Sequence, residues 1–340
     1  DRGSNAAATR INSSGLIEKY RENLLLQSNS FDTTWLNGRS TETSGQSGYD
    51  GINNAWLIES TATAQSAYIY QLTTSQFTHT RSVYAKAGTS NWLGLFGASS
   101  NQAYFDLQNG VLGSTSGSSF INSSIQNVGN GWYRCSITLN SIDTFYIFIA
   151  NTNNSTATNS GDNILIQSAQ LETGLVATDY LNSTSVTAKA GVLIDLPRIN
   201  YDANGENGAL LLEPSRQQLI PQSEYFDSWS KTNASVTNNS ATSPDGYKNA
   251  TTITGTASYG RIYQMITYTA AAYTFSVFVK KAAISQTFAA AFSQFGGVDE
   301  FSVNLNTGAT LSKGSNVSSV NCVSYGDYWR VLATSTRTAS

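Results

Sequence analysis

Charged side chains are scarce in this sequence. Only 12% of the 340 residues are charged and the formal net charge is −3, whereas about 25% charged residues is usual for a globular protein. The chain has no run of lysine and arginine, so it lacks the groups that release counterions from a phosphate backbone. We therefore predict that it binds neither nucleic acid nor an anionic membrane surface.

Long apolar runs are also missing. No stretch approaches the roughly 20 apolar residues of a membrane-spanning helix, and no charged segment followed by an apolar one opens the chain as in a signal peptide. We predict no membrane insertion. The first residue is Asp1, and the opening segment reads as the continuation of something upstream, so we expect a processed or partial product.

Cysteine and histidine are nearly absent. Two cysteines, Cys135 and Cys322, do not support a disulfide framework. The single histidine, His79, lies in a strand-like run with no partner motif, and no HExxH, GxSxG, CxxC or P-loop pattern is present. We predict no metal site of His or Cys ligands, no catalytic residue of these kinds, and a structural role for His79.

What the sequence does contain is a repeat. NGWYRCSITL (130–139) returns as GDYWRVLATS (326–335), with Val331 in the place of Cys135, which predicts a small buried hydrophobe at that position. Three further pairs match in the same order, and such order is typical of two copies of one domain. The pairs are 23–35 with 218–229, 68–87 with 261–282, and 104–114 with 301–312.

The repeat predicts the organisation of the chain. We expect a leader at 1–22, a first domain at 23–182, a linker with a second leader at 183–217, and a second domain at 218–340. The first copy continues through two strand-like runs at 143–174 that the second copy lacks. Unpaired sheet edges would be left behind, so the second domain is predicted to be incomplete: either the natural chain runs on, or a neighbour supplies the strands.

Strand signals dominate both copies. Short runs rich in Val, Ile, Thr, Tyr and Phe are bounded by Gly, Asn, Asp and Ser. We predict an all-β protein made of two tandem antiparallel β-sandwich domains of the jelly-roll type. In the repeated phrase, Tyr133 and Trp329 should face the core, and Trp132 and Tyr328 the opposite side, each beside an arginine.

Carboxylate pairs remain as a route to catalysis, because two of them about 5–10 Å apart can hydrolyse a glycosidic bond. Asn304 matches Asp106 in the second copy, which favours a turn residue over a catalytic acid, and we predict that the protein is not an enzyme. The loop at 151–163 offers oxygen ligands for a structural Ca²⁺, although a solvated loop is our stronger expectation. The candidate acids are Asp106, Asp143, Asp162, Glu172, Asp299 and Glu300.

Several stretches together resemble a known module. ATRINSSGLIEKYRENLLLQSNSFDTTW, SVYAKAG, AYFDLQNGVL, VGNGWYRCSITL and IQSAQLETGLVATDYL resemble a module widespread in tailed-bacteriophage virion proteins, as does LPRINYDANGENGALLLEPSRQQLIPQSEYFDSW. Similar modules occur in bacterial surface and glycan-processing proteins, and they are similar to concanavalin-like and carbohydrate-binding jelly rolls. The resemblance implies a virion component: a fibre, tail appendage or head decoration that contacts other virion proteins and forms a homo-oligomer, a trimer being common for phage fibres.

Glycan binding is the sharper functional hypothesis. Aromatic faces stack on the C–H surfaces of sugars while Asn, Asp and Gln bond the hydroxyls. We assign Trp35 and Tyr70, which recur in the second copy as Trp229 and Tyr263, to packing in the core or between the sheets. Trp92 and Tyr104, which occur in one copy only, are the predicted contacts for a bacterial surface glycan. Two alternatives stay open: a purely architectural virion protein, and a pair of carbohydrate-binding modules from a secreted bacterial protein.

Overall fold

The structure is a computed structural model that describes residues 9–73, 78–97, 100–140, 144–193, 196–212, 217–281, 286–292 and 299–337. Within these ranges the regular elements are β-strands, apart from one 3₁₀ turn at Phe226–Ser228. The strand pairs are antiparallel. The predicted all-β antiparallel class is confirmed. Among the described residues, no helix has the length and apolar character needed to cross a membrane.

The first part of the chain forms three short strands and then the strands of the first copy. The short strands are β1 (Thr9–Ile11), β2 (Ile17–Lys19) and β3 (Arg21–Asn23). The first copy consists of β4 (Leu36–Gly38), β5 (Ser40–Gln46), β6 (Ala55–Ser60), β7 (Gln65–Ser66), β8 (Tyr68–Gln71), β9 (His79–Ala87), β10 (Trp92–Phe96), β11 (Gln102–Asp106), β12 (Val111–Ser116), β13 (Phe120–Gly129), β14 (Trp132–Leu139), β15 (Phe145–Ala150), β16 (Ala157–Thr158) and β17 (Asn163–Thr173).

Two six-stranded sheets make up the first copy. Sheet I has the order β12-β11-β10-β15-β8-β4, and sheet II the order β13-β14-β9-β17-β6-β5. Strand alternation sends Leu93 and Leu95 of sheet I, and Val83 and Ala85 of sheet II, into one shared core, where all four are fully buried. The chain switches sheets repeatedly, from β8 to β9 to β10 and from β14 to β15 to β17. This is an antiparallel sandwich of the jelly-roll type, as predicted.

Three single residues take the structural roles expected of them. Trp35 is 4% exposed and its indole N–H donates to the Gln27 carbonyl at 3.2 Å. Cys135 is buried in the shared core as a free thiol. His79 is buried on β9, and its Nε2 accepts a hydrogen bond from Arg81 Nε at 3.1 Å.

The second part of the chain forms the linker strands and the second copy. The linker contains β18 (Ala188–Ala190), β19 (Ile199–Asn200) and β20 (Ala209–Leu210). The second copy contains β21 (Ser230–Thr232), β22 (Ala234–Ala241), β23 (Ala250–Gly255), β24 (Arg261–Tyr263), β25 (Ala271–Lys280), β26 (Thr287–Ala291), β27 (Glu300–Asn304), β28 (Thr310–Lys313), β29 (Val317–Tyr325) and β30 (Tyr328–Arg337).

Strand pairing in the second copy repeats the register of the first. Trp132 of β14 lies opposite Lys86 of β9, and Tyr328 of β30 lies opposite Lys280 of β25. The pairs β10–β11, β4–β8 and β5–β6 likewise correspond in register to β26–β27, β21–β24 and β22–β23. This agreement supports two copies of one fold, while the domain boundaries given above stay a prediction.

The repeated phrase is oriented as its alternation predicts. Tyr133 and Trp329 pack against the cores of their copies. Trp132 lies on the other side of β14, in a separate cluster with Tyr84. The guanidinium of Arg134, the arginine of the repeated phrase, lies 5.3 Å from the centroid of the Tyr84 ring. In the second copy the corresponding arginine lies over a phenylalanine at 5.8 Å.

The second copy differs by two strands. In the first copy β15 lies between β10 and β8, and β17 lies between β9 and β6. Among the described strands of the second copy, none occupies either place, and its strands form four separate sheets: β21-β24, β22-β23, β25-β30-β29 and β26-β27-β28. The two unfilled places correspond to the strand-like runs at 143–174 of the first copy, which have no match in the sequence of the second copy.

The hairpins of the two leaders pack against each other. Tyr201 donates its backbone N–H to the Ile11 carbonyl at 3.1 Å. Gly15 and Gly205 meet at the contact, and both have positive φ. A Cβ on either glycine would lie 2.3 Å from a backbone oxygen of the other loop, so this approach requires glycine on both sides.

Candidate functional site

The outer face of sheet I carries a continuous group of aromatic rings. Because side chains alternate along a strand, the inward Leu93 and Leu95 leave Trp92 and Phe96 pointing outward on β10. The same alternation applies to β8, β11 and β15, whose inward positions are fully or almost fully buried. The group, called the aromatic face below, consists of Tyr68, Tyr70, Trp92, Phe96, Tyr104, Tyr146 and Phe148.

Strand register brings most of these rings into contact. Phe148 lies opposite Tyr68, and Tyr146 lies opposite Tyr70 on one side and Phe96 on the other. Ring centroids are 4.4 Å apart for Phe96 and Phe148, 4.6 Å for Tyr68 and Phe148, and 5.2 Å for Tyr70 and Tyr146. Pairs of this kind contribute about 0.5–1.5 kcal/mol each beyond area burial. The rings therefore hold one another in a fixed arrangement.

Glycines on sheet I make room for three of the rings. A Cβ added to any of these glycines would meet the ring of a neighbouring aromatic residue closer than van der Waals contact allows. Each of these rings therefore lies close to the backbone at a glycine, where a larger residue would displace it. The closest ring atoms would be 2.3 Å away for Gly38 and Tyr68, 2.7 Å for Gly94 and Phe96, and 2.6 Å for Gly113 and Trp92.

The structure places both predicted glycan contacts on the aromatic face, but in different positions. Trp92 is half-buried, and its role in binding stays a prediction. Tyr104 is only 3% exposed, and its ring meets Phe96 edge to face at 5.3 Å. Burial also raises the pKa of the Tyr104 phenol. Tyr104 thus supports the neighbouring rings rather than presenting its own ring to a ligand.

The assignment of Tyr70 to core packing is wrong. Tyr70 lies half-buried on the outer face and stacks on Tyr146 with an interplanar angle of 26°. Its second-copy counterpart, Tyr263, is 41% exposed. The alternation in YIYQ contains the signal that was needed, because the fully buried Ile69 between Tyr68 and Tyr70 directs both tyrosines to the opposite face.

Among its described residues, the second copy has no such face. Apart from Tyr263, the counterpart of Tyr70, its matching strands carry small or polar residues where the first copy has rings, and the glycines that accommodate three of the rings are replaced as well. The rings and their glycines therefore form one coupled feature of the first copy. The replacements are Trp92 by Thr287, Phe96 by Ala291, Tyr104 by Ser302, Tyr68 by Arg261, Gly38 by Thr232, Gly94 by Ala289 and Gly113 by Leu311.

Amide side chains border the aromatic face beside β12. Asn153 Oδ1 accepts a hydrogen bond from the Ser114 backbone N–H at 2.7 Å, and Gln102 Nε2 donates to Asn154 Oδ1 at 3.4 Å. At the opposite side of the face, the Arg39 guanidinium lies 5.9 Å from the centroid of the Tyr68 ring. The face thus combines apolar rings with neutral amide groups at one side and a guanidinium at the other.

Two of the candidate acids have structural partners. Asp106 Oδ1 accepts from the backbone N–H groups of Gln108 and Asn109 at 2.9 and 3.0 Å, which is the turn role predicted for it. Glu172 is buried on sheet II, where it accepts from the Thr178 backbone N–H at 2.8 Å. Burial raises the pKa of the Glu172 carboxyl.

The loop at 151–163 is braced by its own carboxylate. Asp162 Oδ2 accepts from Asn151 Nδ2 at 2.6 Å and from the Asn159 backbone N–H at 2.5 Å.

The candidate acid Asp299 forms an ion pair of 2.5 Å with Arg337 of β30. Asp143 lies outside the described residues. Within the part of the chain that the structure describes, no group of three or more His, Cys, Asp and Glu side chains is placed to hold a metal ion.

The structure therefore presents an aromatic face on the outer side of sheet I, while Asp106, Asp162, Glu172 and Asp299 are engaged in hydrogen bonds or an ion pair. No model of a known protein family matches the chain, and no curated protein matches it.

Proposed function

We propose that the protein is a non-enzymatic structural component of a tailed-phage virion that binds a neutral glycan of the bacterial surface through the aromatic face. The resemblance of the sequence to virion modules supports its place in a fibre, tail appendage or head decoration. The aromatic face supports the part of the proposal that concerns glycan binding. The two parts of the proposal rest on separate observations and are tested separately.

One observation carries the binding function: the three rings that lie over glycines of sheet I, Tyr68, Trp92 and Phe96, are replaced in the second copy together with those glycines. Rings needed only to complete a jelly-roll sheet would recur in both copies, because the strands and registers recur. A contiguous outward group of half-buried rings marks a site of interaction on a protein surface. We infer that this face is kept for a ligand.

The chemistry of the face favours a sugar. Ring faces that lie against the sheet match the flat C–H surfaces of a pyranose, and tyrosine adds hydroxyl groups at the ring edges. The bordering Asn and Gln side chains donate and accept neutral hydrogen bonds. Because neighbouring strands are about 4.8 Å apart, the rings on β8, β15 and β10 extend over about 10 Å across the strands. That length suits an oligosaccharide of more than one residue.

A glycan array probed with the full-length protein tests the proposal. We expect binding to a neutral oligosaccharide and a loss of about tenfold or more in affinity for Trp92→Ala and for Tyr146→Ala, since central aromatic contacts dominate such interfaces. The matched control is Tyr263→Ala, which removes an exposed tyrosine from β24, the strand of the second copy that corresponds to β8, and should leave the affinity unchanged.

Two results would contradict the glycan part. One is equal loss of affinity in Tyr263→Ala. The other is an array without binding, together with tight docking of the protein to a capsid or tail component, which would favour a purely architectural role. Imaging of the protein on a phage particle tests the virion part, and its absence from particles would favour the carbohydrate-binding modules of a secreted protein.

A further inference from the structure

We propose that Arg39 is a specificity-determining residue of the aromatic face, where its guanidinium binds two adjacent hydroxyl oxygens of the sugar that lies on Tyr68. This role rests on the proposed function, because it concerns the same face and the same ligand. It adds a second element of recognition to the stacking of rings, namely an end of the face that selects the arrangement of the sugar hydroxyls.

Arg39 has a backbone conformation that arginine rarely adopts. It lies between β4 and β5 with a φ of 57°, in the left-handed region. This region is unfavourable for most residues that carry a Cβ atom, whereas glycine, asparagine and aspartate adopt it more readily. An arginine at this position therefore costs stability that another residue would not.

The second copy shows which residue suits this turn. Asn233 lies between β21 and β22 with a φ of 49°, and the registers on both sides align it with Arg39. The two backbones also make the same bond, because the carbonyls of Arg39 and Asn233 accept from the backbone N–H groups of Thr61 and Thr256 at 3.0 and 2.8 Å. The turn thus forms with asparagine, and it does not explain the arginine side chain of the first copy.

The Arg39 side chain extends along one side of the aromatic face. Its Nε donates to the Ser66 carbonyl at 2.9 Å, and its guanidinium lies 5.9 Å from the centroid of the half-buried Tyr68 ring. These two contacts orient the guanidinium beside the ring. Arg39 is exposed, and no carboxylate of the described residues lies within ion-pair distance of it. Its Nη groups can therefore donate to a ligand that lies on the Tyr68 ring.

The shape of the guanidinium defines the acceptors. Its planar fork donates two parallel N–H groups to neighbouring oxygen atoms, whereas a lysine ammonium acts as a single point of charge. Because the proposed ligand is neutral, these oxygens are two adjacent hydroxyls of the stacked sugar. An epimer in which one of them is axial directs that oxygen out of the sugar plane and away from the fork. Arg39 therefore adds selectivity between epimers to the binding that the rings provide.

A glycan array that carries each neutral oligosaccharide beside its epimers and its uronic-acid form tests this role in the full-length protein. Arg39→Asn introduces the residue found at Asn233. We expect it to lower the affinity about tenfold, as for a hydrogen bond from a charged donor, and to weaken the discrimination between epimers. Its melting temperature should not fall, because asparagine adopts the required φ more readily.

Two further variants make the comparison specific. Arg39→Lys keeps the positive charge but lacks the fork, so it should also lose affinity and selectivity. The matched control is Arg261→Asn, which removes an exposed arginine that lies 6.0 Å from the ring of Tyr263 in the second copy. This control should bind like the unchanged protein.

Four outcomes overturn the role of Arg39. Full affinity in Arg39→Asn, with a loss in Trp92→Ala, would refute this role and leave the proposed function standing. A loss of affinity accompanied by a lower melting temperature would mean that Arg39 only supports the Tyr68 ring. Preference for a uronic-acid form, weakened by added salt, would identify a carboxylate as the partner instead of hydroxyls. An array without any binding to the unchanged protein would refute the proposed function, and the role of Arg39 with it.

Discussion

Truncation of one isoleucine in each copy measures how complete each sandwich is. Ile58 on β6 and Ile253 on β23 occupy the same register position, opposite Glu42 and Val236 of the preceding strand. The first is fully buried and the second is 47% exposed. Ile58→Ala and Ile253→Ala therefore remove the same atoms from equivalent strands in different surroundings.

The expected costs follow from burial. Ile58→Ala leaves a closed cavity in the shared core and should reduce the local free energy of unfolding by about 2–5 kcal/mol. At Ile253 about half of the side chain already faces water, so about half of the roughly 2 kcal/mol for full burial is at stake and no closed cavity forms. We expect a cost of about 1 kcal/mol there.

Native-state hydrogen exchange of β6 and β23 in the full-length protein gives the two costs separately, because each strand reports the opening of its own surroundings. Equal costs for the two substitutions would refute the reasoning, since they would mean that the Ile253 side chain is covered in solution.

Two further predictions concern the contacts between the leaders and their surroundings. Gly15→Ala and Gly205→Ala should each lower the free energy of unfolding, measured in urea, by more than Gly45→Ala, a position where φ is also positive but an added Cβ meets nothing. Backbone strain alone costs roughly 1–3 kcal/mol in each of the three variants. The double variant Gly15→Ala/Gly205→Ala should cost less than the sum of the single variants, because both changes break the same contact. The second prediction concerns Asp245, whose Oδ2 lies 2.8 Å from Lys19 Nζ. Burial alone would raise the pKa of the Asp245 carboxyl. The charge of Lys19 and hydrogen bonds from Lys19, Ser243 and Asn249 outweigh burial and hold that pKa below its ordinary value of 3.8. The stabilisation is therefore complete above pH 3.8 and is lost as the pH falls through the lower native pKa. Asp245→Asn should flatten the dependence of the unfolding free energy on pH between about pH 5 and pH 2, and an unchanged slope would contradict the ion pair.

Much of the fold could be predicted from the sequence because its signals are local. Alternation in WYRCSIT and its repeat correctly assigned Tyr133 and Trp329 to the cores. The counterpart of Asp106, an asparagine, correctly indicated a turn residue. Recurrence of the whole pattern indicated two copies, since order and spacing persist where individual residues change. The leader contact at Gly15 and Gly205 was not predicted, because it joins residues that are distant in sequence.

The candidate site was predicted only in part, for a physical reason. In FYIFIA both alternating sets of side chains are apolar, so periodicity separates Phe145 and Ile147 from Tyr146 and Phe148 without indicating which set faces the core. The choice depends on the opposing sheet. Tyr70 was assigned to the core because it recurs in both copies, but recurrence preserves the strand and not the environment of its outer face.

The aromatic face of the first copy depends on one strand, β15. Tyr146 and Phe148 of β15 lie between the rings of β8 and those of β10, and the closest ring contacts pass through them. Without β15, the strands corresponding to β8 and β10 lie in separate sheets, as β24 and β26 do, so rings on them would have no fixed spacing. A copy that lacks this strand cannot hold an aromatic face of its own, and small or polar residues at those positions cost it no binding surface. The same gap leaves backbone edges beside partly covered isoleucines. The aromatic face therefore requires β15, which sets the spacing of the rings on β8 and β10, as well as the rings themselves.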